Sequence, residues 1–284
     1  MPTANTRIER TQHADGVVEL QLARPEKMNA LDPAMFDGLI EAGERLKSDG
    51  DVRAVVISGQ GKAFCAGLDM QSFARMADDA AGAAGLLGES TRAADILVRT
   101  HGMSNAAQQV AMVWRDVPVP VIAAVHGAAF GGGLQVALGA DFRLLAPDAQ
   151  MSVMEIKWGL VPDMGGMVLM RGLLRDDVMR ELTFSGRIVG AEEAVRIGLG
   201  TRVSPDPRAE ALQMAAAIAQ RSPDAIRAGK RLLAAAASLD AAGLLLRESV
   251  EQKALIGSPN QAEAVRANME KRAPRFAPAG AAPH

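Results

Sequence analysis

Two carboxylates and one neutral amide are the residues of this chain best placed to do chemistry. In "MSVMEIKWGLVPDMGG" Glu155 stands among Val153, Met154 and Ile156, and Asp163 follows it on the same stretch. A carboxylate in apolar surroundings is costly unless it is paired or used, which makes Glu155 a candidate general base. A structural salt bridge is the competing account. Asp163 precedes "MGG" and could serve as a cap for the helix "GGMVLMRGLL". Gln135, in "HGAAFGGGLQVALGAD", interrupts an apolar run just after three consecutive glycines, Gly131 to Gly133.

The glycines themselves raise a second possibility. "SGQGKAFCAGLD" and "HGAAFGGGLQ" each follow an apolar, strand-like run. The first fails as a phosphate loop, because Val56 stands where its leading glycine should be. Neither fits the dinucleotide pattern, whose last glycine would fall on Val136 or Phe64. What remains is exposed backbone: N–H groups beside a helix start favour a negative ligand oxygen. Two such loops could aim one N–H each at a single oxygen, the design of an oxyanion hole. Alternatively the glycines only allow close strand–helix packing.

Other chemistries lack support. The single cysteine, Cys65, allows neither an intrachain disulfide nor a cysteine-based metal site. The histidines (His13, His101, His126, His284) show no ligand spacing, so no metal is expected. A net charge of −2 gives no basic excess for nucleic acid or anionic membrane. Aromatics are only 3%, with no Tyr, which argues against base-stacking platforms. The polar start "MPTANTRIER" lacks the apolar core of a signal peptide, and no apolar run is long enough to span a membrane. The expectation is a cytoplasmic protein.

The elements that must position these residues divide the chain. With 49% hydrophobic residues in 284, a sizeable core is expected. "GVVELQLARP", "VRAVVISG", "VPVPVIAAVHG", "DFRLLAP" and "AQMSVM" read as strands. Asp32 caps and Pro33 opens a helix through "DPAMFDGLIEAGERLKSD", and a long helix is expected from about Glu89 to Arg115. From Gly165 onward the segments read as amphipathic or Ala-rich helices. The fold class is therefore α/β with a helical C-terminal region. The expected organisation is an α/β core over 1–200, a helical region over 201–276, and a disordered tail over 277–284.

Four segments carry a resemblance. "RPEKMNALDPAMFDGL", "GQGKAFCAGLDM", "PVIAAVHGAAFGGGLQVALGADFRLLAPDAQM" and "EIKWGLVPDMGG" resemble the crotonase (enoyl-CoA hydratase/isomerase) superfamily, in the right order. "SGRIVGAEEAVRIGLGTRV" is similar to a further family segment. The resemblance implies a spiral of ββα units in which the core over 1–200 carries the active site and the helical region over 201–276 serves trimerisation, in a homotrimer or dimer of trimers. It implies an acyl-CoA thioester as substrate, with no separate cofactor because coenzyme A is part of that substrate.

By motif position, the resemblance assigns the oxyanion hole to the backbone N–H groups of Leu68 and Gly132. It assigns coenzyme A contacts to Lys27, Met28, Ala30, Ala66, Leu68 and Asp69, and to Lys271, which would reach a neighbour's CoA phosphate. Family hydratases hold their water between two glutamates. Here one is Glu155, but the other position is Gln135, and an amide can orient a water without accepting its proton. At the position of Asp163 family hydratases commonly have Gly, whereas some isomerases, including dienoyl-CoA isomerases, carry Asp. Those dienoyl-CoA isomerases also have Asp where Gln135 stands. The combination favours double-bond isomerisation by Glu155, Asp163 and Gln135. Hydration of an enoyl-CoA in fatty-acid β-oxidation is the alternative. A non-catalytic acyl-CoA-binding protein is an alternative of another class.

Overall fold

The computed structural model describes residues 7–72 and 96–280. Its main sheet has six strands: β1 (Ile8–Gln12), β2 (Val17–Leu22), β3 (Ala54–Gly59), β4 (Val121–Val125), β6 (Phe142–Leu145) and β9 (Arg202–Val203), adjacent in that order. Strand β1 is antiparallel to β2, and the others are parallel. Parallel strands covered on both faces should be apolar throughout, and β3 and β4 are buried at every position. Alternate residues serve opposite faces. Val18, Leu20, Val55 and Ile57 pack with helices α1 (Pro33–Ser48), α2 (Ala106–Asp116) and α3 (Gly132–Gly139). Val17, Ala54, Val56 and Ile122 face helix α7 (Pro207–Ala219) through its Ala211, Ala215 and Ala219.

Several expectations hold in detail. Asp32 caps α1, accepting from the Met35 N–H, with Pro33 in the first turn. The expected helix from Glu89 to Arg115 is shorter in its described part. Residues 96–105 form turns and bends, while 89–95 lie outside the described residues. The physical reason is Asn105, whose side chain accepts from Gln108 N–H while Gln108 accepts from Asn105 N–H. That capping box starts the helix at Ala106.

A smaller sheet positions the site. It joins β5 (Ala128–Phe130), β7 (Gln150–Ser152) and β8 (Val189–Gly190) in that order. Strands β5 and β7 are parallel, with Phe130 opposite Ser152. Neighbouring loops extend the arrangement through parallel bridges between Cys65 and Ala129 and between Leu31 and Leu68. Four chain segments thus run side by side in one direction and end together.

The region expected to serve oligomerisation begins with a helix that closes the core. Arg208 of α7 reaches fully buried Glu19 at 2.5 and 2.8 Å. Lys230, from α8 (Pro223–Ala236), donates to the Trp114 and Val119 carbonyls and to Asp141. The core therefore extends beyond residue 200. Helices α9 (Ala241–Leu255) and α10 (Pro259–Met269) pack on α8 and leave Leu245, Leu246 and Val250 exposed. The expected disordered tail is hydrogen-bonded in its first part. Ala277 N–H donates to Asn260 and Gly280 N–H donates to Asp224, whereas 281–284 lie outside the described residues.

Candidate active site

Where the four parallel segments end, a cavity of about 1060 Å³ opens. Ligands of α/β proteins usually lie beyond the carboxyl ends of strands, and this cavity follows that rule. Leu68 and Gly132 sit on its wall. Gly67 lies beside Gly132 N, only about one side-chain atom away: a β-carbon at 67 would sit 3.8 Å from that nitrogen. Among the described residues, neither the Leu68 N–H nor the Gly132 N–H donates to an acceptor. Both N–H groups belong to adjacent chain segments on the wall of one cavity.

The three glycines have separate reasons. Gly131 has φ of +50°, a conformation L side chains rarely adopt, and a β-carbon there would lie 3.3 Å from Glu155 Oε1. At Gly132 a β-carbon would fall 2.8 Å from both Leu31 Cδ1 and Met164 Sδ. At Gly133 it would collide with the Cys65 carbonyl oxygen, the contact that joins the two loops. All three positions thus need glycine for close approach or backbone conformation. Cys65 itself is no nucleophile, because burial pushes its thiol up to about 12.

Glu155 and Asp163 both line the cavity. Glu155 opens the short turn Glu155–Trp158, three residues beyond β7. Its Oε1 accepts from Gln135 Nε2 at 2.6 Å, and its Oε2 is buried without a hydrogen-bond partner among the described residues. The salt-bridge account of Glu155 finds no basic partner among the described residues. Burial raises its pKa, hydrogen bonds including that from Gln135 oppose the rise, and the nearby charge of Asp163 adds to it. Asp163 opens onto the cavity, yet surrounding protein also holds its pKa above the usual value. A group can be accessible inside a cavity and still be poorly hydrated. Asp163 is not a helix cap: the residue at the cap position of α4 (Gly166–Met170) is Gly165, and no side chain bonds there.

Gln135 departs from the expectation that it orients a water. Its side chain is buried and does not line the cavity. The oxygen accepts from Met164 N–H at 2.9 Å and Gly166 N–H at 2.8 Å, while the nitrogen donates to Glu155. Two backbone donors must meet the amide oxygen, which fixes the orientation of the amide. The side chain is committed to protein on both ends.

Lys27, Met28, Ala30, Ala66, Leu68 and Asp69 all line the cavity. Asp69 differs in how it serves. Its carboxylate is buried against Arg24 at 2.5 Å and accepts from Gln71 N–H. Burial works against its charge, but those hydrogen bonds outweigh it and hold the carboxyl below the usual range. Its side chain therefore braces the wall and is not free for a ligand. Lys271 does not line the cavity of its own chain.

Sequence reasoning missed Arg24 and Asn29. Asn29, fully buried, accepts from Arg24 N–H and donates to the Gln60 and Ala63 carbonyls, tying the first loop to the second. Arg24 joins Asp69 and the Ala30 carbonyl. The signal was the pairing of a buried Arg and Asn inside "RPEKMNA", residues that otherwise read as surface.

The family model described as enoyl-CoA hydratase/isomerase matches residues 12–278, and the chain belongs to this family. Its α/β architecture is the crotonase fold. The crystal structure of enoyl-CoA hydratase from Bacillus anthracis superposes with a TM-score of 0.82 at 28% identity, covering 95% of this chain and 98% of that one. Among curated relatives, the mouse mitochondrial Delta(3,5)-Delta(2,4)-dienoyl-CoA isomerase is 34% identical over 78% of this chain and 67% of its own. The "Probable enoyl-CoA hydratase echA6" of Mycobacterium tuberculosis is 33% identical over 93% of this chain and 96% of its own.

Proposed function

We propose that this enzyme moves a double bond in an enoyl-CoA or dienoyl-CoA substrate. The observation that carries the reading is that Glu155 and Asp163 face one cavity while Gln135 does not. A hydratase needs a second carboxylate on its water, and residue 135 supplies none. Two carboxyls on one cavity are suited to taking a proton from one carbon and returning one to another.

In this mechanism the thioester oxygen accepts from the N–H groups of Leu68 and Gly132. The carboxylate of ionised Glu155 takes a proton from C2. The bonding pair of that C–H shifts into the conjugated system as an enolate, whose charge the two N–H groups stabilise. One such donor contributes about 3 kcal/mol to lowering a barrier. In the singly protonated form whose proton lies on Asp163, this group gives that proton to the distal carbon as the double bond moves. One C–H bond breaks, one forms, and no water is consumed. Glu155 ends protonated and Asp163 ionised, and the proton passes back between them before the next turnover.

Coenzyme A would run past Lys27, Met28, Ala30 and Ala66, mostly along backbone, and no further cofactor takes part. Trp158, Leu160 and Val161 give the wall near Asp163 an apolar surface that suits an uncharged acyl chain. Exposed Leu245, Leu246 and Val250 support assembly as a homotrimer or dimer of trimers; Lys271 would then turn to a neighbouring subunit, and the proposed compartment is the cytoplasm. Hydration is the second reading, favoured by the hydratase relative that matches nearly the full chain. Offering purified protein 2-trans-enoyl-CoA beside 3-enoyl- and dienoyl-CoA tests the choice. Rapid hydration with no shift of the double bond would refute isomerisation.

A further inference from the structure

Gln135 bonds at one end to the candidate base and at the other to the turn that carries the candidate acid. Its nitrogen holds Glu155 Oε1 at 2.6 Å. Its oxygen holds Met164 N–H, the residue directly after Asp163, at 2.9 Å, and Gly166 N–H at 2.8 Å. Gly166 is shaped to this contact: a β-carbon there would sit 2.7 Å from the Gln135 oxygen. Met164 in turn packs against Gly132, where a β-carbon would meet its sulfur.

We propose that Gln135 is a positioning residue that holds both carboxylates in register, fixing one oxygen of Glu155 and, through the Met164 and Gly166 N–H groups, the turn that carries Asp163. The proposal rests on the proton-transfer reading of Glu155 and Asp163. A carboxylate at 135 could accept from the two backbone N–H groups, but it could donate to Glu155 only while protonated. An apolar side chain could do neither. The amide does both at any pH, and this is what the residue type contributes. Groups placed through their neighbours matter because small misplacements at a reacting centre are costly to rate.

Three variants separate the parts. Gln135→Met keeps the length of the side chain and removes all three hydrogen bonds. Gln135→Glu keeps the two backbone bonds and can share one proton with Glu155 across the short contact. Gly166→Ala displaces the Gln135 oxygen from the far end while leaving Gln135 in place. The readout is entry of solvent deuterium at C2 of a bound saturated acyl-CoA, followed across pH. This exchange needs only the base and the oxyanion donors, so it stands whether or not the double bond moves.

The expected result is exchange about 10- to 100-fold slower in Gln135→Met and Gly166→Ala at neutral pH. In Gln135→Met the acid limb of the pH profile moves upward by about one pH unit, because Glu155 has lost a donor to its charged form. Gln135→Glu recovers most of the loss. An acid limb that stays in place in a folded Gln135→Met would overturn the proposal. So would faster hydration in Gln135→Glu than in the parent, which would place residue 135 on the substrate's water. Absence of double-bond movement in the parent would refute isomerisation alone and leave this comparison intact.

Discussion

Glu155 is held by one oxygen and bare at the other: Oε1 lies 2.6 Å from Gln135 Nε2, and Oε2 is buried with no partner among the described residues. A buried carboxylate oxygen left without a donor costs about 1–3 kcal/mol. Such a group persists where a ligand or a reaction uses it. The fold keeps it in place because β5 and β7 run parallel, which sets Gly131 and Glu155 at adjoining ends.

Glu155→Gln should therefore abolish proton transfer while leaving the cavity intact. Turnover is expected to fall by at least about 100-fold, the usual contribution of a general base. Affinity for a non-reacting acyl-CoA analogue, measured by calorimetry, should change little. Retention of activity above a tenth of the parent would remove Glu155 from the mechanism.

Asp163→Asn should separate the two halves of the reaction. Glu155 can still remove and return the C2 proton, so solvent deuterium should enter C2. The double bond should no longer move, because the asparagine amide supplies no acid to the distal carbon. Mass spectrometry of recovered substrate reads both outcomes. Loss of C2 exchange together with isomerisation would show that Asp163 does not act separately.

Both carboxyls lie above their ordinary pKa in the folded protein. Between the ordinary and raised values the folded state holds more protons than the unfolded one. The stability linked to these groups is therefore present below about pH 4 and is lost as pH rises through the raised values. Glu155→Gln should be more stable than the parent at pH 7, because no charge is buried there, with the gap closing toward pH 4. Urea unfolding at the two pH values measures this. The pair should also give activity a bell-shaped profile, its middle belonging to the form that shares one proton.

Arg24→Met tests the brace behind the cavity wall that carries Met28, Ala30 and Ala66. Asp69 and Arg24 are both buried, and removing one partner leaves an uncompensated charge. The expected cost is about 3–5 kcal/mol of stability. Adding Asp69→Asn should recover part of it. KM should rise more than kcat falls, since the disturbed loops carry Met28, Ala30 and Ala66 and not the carboxylates.

Much of this was legible in the sequence, for physical reasons. Strands β3 and β4 are buried on both faces, so they read as continuous apolar runs. Glu155 was conspicuous because its neighbours are apolar. Strand β1 was hidden because it is an edge, half charged and partly exposed. Strands β5 and β8 are too short to carry a period. The orientation of Gln135 was not legible, because its partners lie 20 or more positions away. Local spacing also favoured a cap role for Asp163, and only the placement of Gly165 decided against it. Spacing identifies which residues could react, whereas long-range hydrogen bonds decide which way they face.

The most direct test is turnover of a dienoyl-CoA in water enriched in heavy oxygen, with the product analysed by mass. Isomerisation through Glu155 and Asp163 predicts a product of unchanged composition, with its double bond moved and no heavy oxygen gained. A product heavier by one molecule of labelled water would contradict the account, because it would show that the cavity activates water and not only protons.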